Sequence, residues 1–342
     1  MELASGSLDA TVRIWHLRTG RSRIVETHDD QVVSVAFGPK GKKVASGSMD
    51  RTVKVRNLKT ARSITLDGRK NGVTSVAWSP CGKELAFVGL FNNRITIHNL
   101  LHCTKRSLIG HKGDVLSVAW SLCGKKIASG ALKGALRIWD VASSPSSSSG
   151  LEKTLTGHTK YINCISWSPC GNRIASSSND KTVRIWNLET GECEHTLSRP
   201  KEFVFSVAWS PCGKKVASSF DKAIVIWDVE TGDKLHILEG HTDHVYSVSF
   251  GPYGKKLASE AKDNTIRTWN LKTGSCDILK GHDRTVLAVS FSPVKYKDKE
   301  ERLQFLIGRS GEKGLREIGF KGKKLQKDED LELSHESLCV IL

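Results

Sequence analysis

The sequence predicts an all-β fold, a single seven-bladed β-propeller, on three observations. A short strand motif recurs as TVRIW, LRIW, TVRIW, IVIW and TIRTW. Its anchor position returns at a near-constant interval: Trp15, Arg56, His98, Trp139, Trp186, Trp227 and Trp269 lie 41, 42, 41, 47, 41 and 42 residues apart, the period of a four-stranded blade. Each period also alternates β-branched or apolar residues with Gly-, Pro- and Asp-bearing turns, as in VYSVSF, KKLASE and NTIRTW, which read as successive strands. The one long interval contains ASSPSSSSG, Ala142 to Gly150, a Ser-rich loop in place of a tight turn; without about six residues the period is restored.

Composition fits such a ring. The chain has 342 residues, 38% hydrophobic and 26% charged, and a closed repeat architecture holds that length in one domain. No apolar run approaches the roughly 18 to 20 residues of a membrane helix. The start, MELASGSLDATVRIW, lacks the basic patch and apolar core of a signal peptide, so the expected location is cytoplasm or nucleus, with reduced thiols. Nine cysteines, none in a zinc-type spacing, predict neither a disulfide framework nor a metal site. Lys and Arg outnumber Asp and Glu 52 to 36, a net +16 that favours anionic partners.

The run GHTKYINCISWSPCGNRIASSSNDKTVRIWNL, Gly157 to Leu188, and its imperfect copies resemble the WD-repeat family over residues 1–293. The resemblance implies blades of strands a (innermost) to d, with Gly-His before strand a and the aromatic anchor on strand c. Strand a then occurs seven times, ending at Phe37, Trp78, Trp120, Trp167, Trp209, Phe250 and Phe291. The chain begins, however, with strands b and c (Leu3 to Leu17), and its last recognisable strand is an a (Val286 to Phe291). One blade must therefore join both ends, which removes the open edges that invite aggregation. Residues 294–342 form an irregular charged tail, in which Phe305 to Gly308 is the best candidate for an extra strand.

The resemblance also implies a buried polar network in each complete blade: His158, Ser176, Asp180 and Trp186; His241, Ser259, Asp263 and Trp269; and, across the chain ends, His282 with Ser5, Asp9 and Trp15 as a latch. Other blades depart from it. Arg56 and His98 replace Trp, Asn92 and Lys133 replace Asp, and Arg69 and Pro200 replace the histidine, so the blades around residues 60–140 are expected to be looser. Recurring His and Asp are thus copies of one structural position. With no GxSxG, Walker, dinucleotide-binding or HExxH motif present, no enzyme and no cofactor are expected.

Two surfaces carry the functional expectation. By resemblance, partner contacts cluster at the channel mouth, before strand a (Tyr161, Phe203, His244) and before the b-to-c loop Asp (Leu8, Met49, Phe91, Leu132, Phe220), an apolar set suited to binding proteins or peptides. On the opposite face the a-to-b turns carry Lys40, Lys42, Lys43, Lys83, Lys125, Lys126, Arg173, Lys214, Lys215, Lys255 and Lys256 against one acid, Glu84. Cys81, Cys123, Cys170 and Cys212 are turn residues there. The reading is a monomeric, non-catalytic scaffold within a multiprotein complex, with no small-molecule substrate; the alternative is a binder of RNA or an acidic membrane surface through the basic ring. The last four residues, Cys339-Val340-Ile341-Leu342, fit a prenylation motif at Cys339, with basic Lys321, Lys323, Lys324 and Lys327 upstream and an acidic stretch from Asp328 to Glu332 between.

Overall fold

The computed structural model describes residues 1–67, 72–142, 150–199 and 202–293. Arg69, Pro200, most of the Ser-rich loop, the Phe305 to Gly308 segment and Cys339 lie outside the described residues. Those described build seven four-stranded antiparallel sheets. Blades 1 to 6 each run a-b-c-d along the chain, with strand a at Val32–Phe37, Val73–Trp78, Val115–Trp120, Ile162–Trp167, Val204–Trp209 and Val245–Phe250. Blade 7 takes its strand a, Val286–Phe291, from the C-terminal side and its strands b, c and d, Glu2–Ser7, Thr11–His16 and Ser22–Thr27, from the N-terminus. The register there pairs Leu3 with Phe291 and Ser5 with Val289. Beyond its end, Ser292 N–H donates to the Glu2 carbonyl at 3.0 Å, and Glu2 N–H donates to Ser292 Oγ at 3.1 Å.

Strand b is the most buried strand of each blade, with its last five residues shut off from water in all seven. It lies between strands a and c of its own sheet and against neighbouring sheets on both faces. The core is accordingly a set of interfaces between blades. In one, Ala128, Leu136, Ile138 and Leu155 of blade 3 pack on Ile162, Ile165 and Trp167 of blade 4.

The fifth residue of strand b faces strand a of the next blade at very close range. A Cβ on Gly6, Gly47 or Gly130 would stand 2.5, 2.7 and 2.5 Å from Val32, Val73 and Ile162. Blades 4 and 5 place Ser177 and Ser219 there, and blade 6 places Glu260, fully buried. Neither Glu260 carboxyl oxygen has a hydrogen-bond partner among the described residues. Burial pushes its pKa well above 4.5, and Ser247, its register partner, offsets this only in part. The strands around it, Val245–Phe250, Ile266–Asn270 and Val286–Phe291, hold one charged residue, Arg267, which lies over the Trp269 ring on the opposite side of the sheet.

Burial thus favours the neutral form of Glu260 in the folded ring. Its folded pKa exceeds 4.5, so its compatibility with the fold is complete below that pH and is lost as pH rises through the folded value. Glu260→Gln, which keeps the shape and removes the titration, is expected to match the native protein near about pH 4.5. At about pH 8 it is expected to be more stable by roughly 1–3 kcal/mol, read by urea denaturation across pH; a constant difference would refute the assignment.

Candidate functional site

Polar groups buried inside a blade have to bond one another. In blade 7, Trp15 Nε1–H donates to Ser5 Oγ at 2.8 Å, Ser5 Oγ lies 2.7 Å from His282 Nε2, and His282 Nδ1 lies 2.7 Å from Asp9 Oδ2. The neutral tautomer that satisfies every member carries its proton on Nδ1, giving a one-way chain from Trp through Ser and His to Asp. Blade 4 repeats it with Trp186, Ser176, His158 and Asp180 at 2.7–2.8 Å. Blade 6 repeats it with Trp269, Ser259, His241 and Asp263 at 2.8 Å throughout. A fifth member was not read from the sequence: Thr11, Thr182 and Thr265, two residues after each Asp, donate to its other oxygen at 2.6 Å. The Ser-His-Asp order mimics a hydrolytic triad, but each seryl oxygen is fully buried and already bonded to an indole N–H. It ties strands together and presents no nucleophile.

Blade 1 keeps the His, Ser and Asp members of this arrangement, although the sequence set it apart because Arg56 stands at the Trp position. His28 lies 2.7 Å from Asp50 and 2.8 Å from Ser46, while Arg56, at the Trp position, turns to Glu26 at 3.8 Å. In blade 3, His111, Ser129 and Trp139 keep their bonds with no carboxylate. Burial pushes His28, His158, His241 and His282 below 6.5, with the paired Asp reversing only part. Without an Asp, burial beside Arg137 takes His111 down to about 4. Burial would raise Asp50, yet hydrogen bonds from Thr52, His28 and the backbone hold it at about 2.

Blade 5 corrects one expectation. Phe220 is not at the mouth; it is fully buried, its ring 5.9 Å from that of Trp227. The His and Trp rings of the other blades are 5.7–6.3 Å apart, so Phe220 occupies the histidine's place over the indole. The cause is a b-to-c turn shortened by one residue: Trp227 bonds Ser218 nine positions back, against ten elsewhere. Counting back from Asp221 therefore selects the wrong residue.

The mouth is defined by a backbone bond repeated in every blade. The N–H of Leu8, Met49, Leu90, Leu132, Asn179, Asp221 and Lys262 donates to the carbonyl of Thr285, Gln31, Gly72, Asp114, Tyr161, Phe203 and His244, the residue before strand a. Blades 7, 1, 2 and 3 thus offer an aliphatic or Met side chain from the b-to-c loop. Blades 4, 5 and 6 offer Tyr161, Phe203 and His244 from the strand-a side. Leu90, not Phe91, is the equivalent in blade 2; Phe91 follows it at φ 50° and is 81% exposed. On the aromatic side Phe205 and Tyr246, one position into strand a, were missed although VFSVAW and VYSVSF display them. Their rings stand 5.1 Å apart, with His244 6.0 Å from Phe205. Lys181 Nζ lies 5.3 Å from the Phe203 ring, and His244 pairs with Asp221 at 2.5 Å.

The opposite face is uneven. Lys126 is paired to Glu152 at 2.6 Å, and Arg173 is held between Glu194 at 2.8 Å and Glu230 at 2.7 Å. Lys42, Lys43, Lys83, Lys125, Lys214, Lys215, Lys255 and Lys256 make no ion pair with a described residue. Cys81, Cys123, Cys170 and Cys212 each place Sγ 3.2–3.4 Å from the Ser two residues earlier, in separate blades. Among the described residues no group of three or more His, Cys, Asp and Glu is arranged to hold a metal, and no helix is long and apolar enough to cross a membrane.

Comparison with known families matches the description "WD domain, G-beta repeat" at residues 20–57, 61–99, 102–140, 149–187, 191–228 and 232–270. Each match begins before strand d of one blade and ends with strand c of the next. The repeat is therefore staggered against the blade and staples neighbours together. Coronin-7 of Mus musculus is 51% identical over 43 residues, 12% of this chain and 5% of that protein. The likeness has the length of one repeat.

The buried network and the placement of Phe220 both have measurable consequences for stability. Ser5→Ala leaves the Trp15 N–H and His282 Nε2 buried without their partner, a cost of roughly 2–4 kcal/mol in urea denaturation. The native protein itself is expected to lose thermal stability as pH falls: the histidines' contribution is complete above 6.5 and fades as pH drops through their depressed folded values. Phe220→Ala opens a cavity against Trp227 and costs roughly 3–5 kcal/mol, whereas Phe203→Ala, at an exposed position, changes stability by about 0.5 kcal/mol or less. Equal effects of the two would contradict the placement of Phe220.

Proposed function

The chain belongs to the WD-repeat family, and on that premise we propose that it is a non-catalytic scaffold which captures peptide segments of partner proteins at the mouth of the propeller. One observation carries the reading: every blade contributes an apolar or aromatic side chain, or His244, to the same rim, set by the backbone bond that ties the b-to-c loop to the start of strand a. Chemistry of this kind suits a peptide. Tyr161 and Phe203, 48% and 42% exposed, offer large contact area with few rotatable bonds. Phe205 and Tyr246 continue the aromatic surface into the channel wall. Lys181 and the Asp221–His244 pair supply polar groups at the edge of that surface, where they fix orientation more than affinity. Likeness to Coronin-7 over one repeat supports the frame and names no partner.

The test is quantitative affinity capture with the full chain at low and high salt. Tyr161→Ala combined with Phe203→Ala is expected to lose the partners that the native chain retains at high salt, by about thirtyfold or more in affinity for a hot-spot pair, with an unchanged melting temperature. Capture that survives the double substitution, or that disappears at high salt in the native chain, would place the interface elsewhere.

A further inference from the structure

Strands a and c end, and strands b and d begin, on the side of the ring away from the mouth, so the a-to-b turns of blades 1 to 6 and the c-to-d turns of all seven share that face, where in blade 7 Glu2 meets Ser292. Their charges are sorted by blade. In blade 6 the two turns read GPYGK and LKTGS, with Lys255 and Lys272 exposed. In blade 7 the c-to-d turn reads LRTGR, with Arg18 and Arg21 exposed. In blade 1 the turns read GPKGK and LKTAR, with Lys40, Lys42, Lys59 and Arg62 exposed. None of these turns holds an acid, and none of these cations is in an ion pair with a described residue. Blades 4 and 5 are the reverse: their c-to-d turns read LETGE and VETGD, and Glu230 with Glu194 neutralises Arg173.

We propose that the turn face of blades 6, 7 and 1 is a docking surface for an anionic lipid bilayer, with the propeller tilted so that the acidic turns of blades 4 and 5 stand off from it. Charge complementarity names the sign of the partner, and the shape of the surface selects its kind. The cations sit at the tips of hairpin turns spread over three adjacent blades, a layout that meets a plane and encloses nothing. Tyr253, 54% exposed at the tip of the blade 6 turn beside Lys255, is the one aromatic residue in these turns. A single ring with a polar tip suits the headgroup layer, whereas single-stranded nucleic acid binding uses several rings for successive bases. Each cation near an anionic leaflet contributes about fivefold to partitioning, and salt screens it. This surface is separate from the mouth and does not rest on the peptide-capture reading.

The experiment is sedimentation of the purified full chain with phosphatidylcholine vesicles, with and without phosphatidylserine, at low salt. Arg21→Glu, Lys59→Glu and Lys255→Glu together test the arc. Lys125→Glu, Lys214→Glu and Lys222→Glu together make the same change in net charge outside it. The native chain is expected to bind only the vesicles that contain phosphatidylserine. The arc variant is expected to lose binding by about a hundredfold or more, and the control to stay within a few-fold of native. No binding by the native chain overturns the proposal, as does an equal loss in the control, which would mean net charge alone. Binding retained by the arc variant also overturns it, because another part of the chain would then hold the membrane. Tighter binding of a single-stranded RNA that displaces the vesicles would assign the arc to nucleic acid instead.

Discussion

The ring stands on the antiparallel pairing of its first strand with its last. Glu2–Ser7 and Val286–Phe291 are separated by nearly the whole described chain, so bringing them together carries a loop-closure cost of about 4 kcal/mol beyond that of a local hairpin. Two sets of contacts oppose that cost at the same junction. Leu3 and Trp15 pack with Val286, Val289 and Phe291 in one apolar cluster. His282 reaches back to Ser5 and Asp9 through the polar chain that Trp15 completes. A blade assembled from both ends also leaves strand a of blade 1 and strand d of blade 6 flanked by a formed sheet, so the two interfaces that blade 7 makes with its neighbours depend on this pairing.

Within that ring the blades solve one packing problem with different chemistry. The indole on strand c needs a ring to cover it and an acceptor for its N–H. Blades 3, 4, 6 and 7 cover it with histidine, and blade 5 covers it with Phe220 while Ser218 still accepts the N–H at 2.7 Å. Blade 2 abandons the arrangement: Phe87 takes the serine's position and His98 the tryptophan's, both buried. In blade 5 the exchange strands no buried donor, because Ser218 still accepts the indole N–H, whereas in blade 2 His98 Nδ1 is buried without a hydrogen-bond partner among the described residues. Glu260 is the exception, an acid placed where three other blades require glycine, and burial raises its pKa with no facing cation on the strands around it to oppose the shift.

Much of this was legible in the sequence because it repeats. Strand alternation, the interval between anchors and the offset of strand a against strands b and c are periodic, so they were enough to place seven blades and the closing pair. What does not repeat was misread. A one-residue deletion turned Phe220 from a rim residue into core, and a similar offset put Phe91 in the place of Leu90. The blade 1 network was overlooked because Arg56 stands at the Trp position, although His28, Ser46 and Asp50 kept their spacing. The basic ring was read turn by turn, and the neutralisation of Arg173 depends on Glu230, 57 residues later and on another blade. Residue spacing within a blade carries local bonds, but contacts between blades need the ring itself.

The closed ring also sets how its two faces relate. Strands of about six residues span roughly 20 Å, and their ends are pinned at one side by the repeated mouth bond and, in blades 2 to 5, at the other by serine-capped turns. Neither face can move far without breaking sheet bonds, so the mouth and the turn face are held at a fixed separation. The forces proposed for the two faces are unlike as well. Aromatic burial at the mouth acts only at contact and is insensitive to salt, while the basic arc acts over about 8 Å at physiological ionic strength and fades as salt rises. On the two proposed roles, a partner at one face would leave the other available, and a rigid body with two such surfaces would hold a peptide at a set height above whatever its turns rest on. This follows from the strands that join them: the side chains that define both surfaces sit on turns, and the turns are fixed by the same buried b strands.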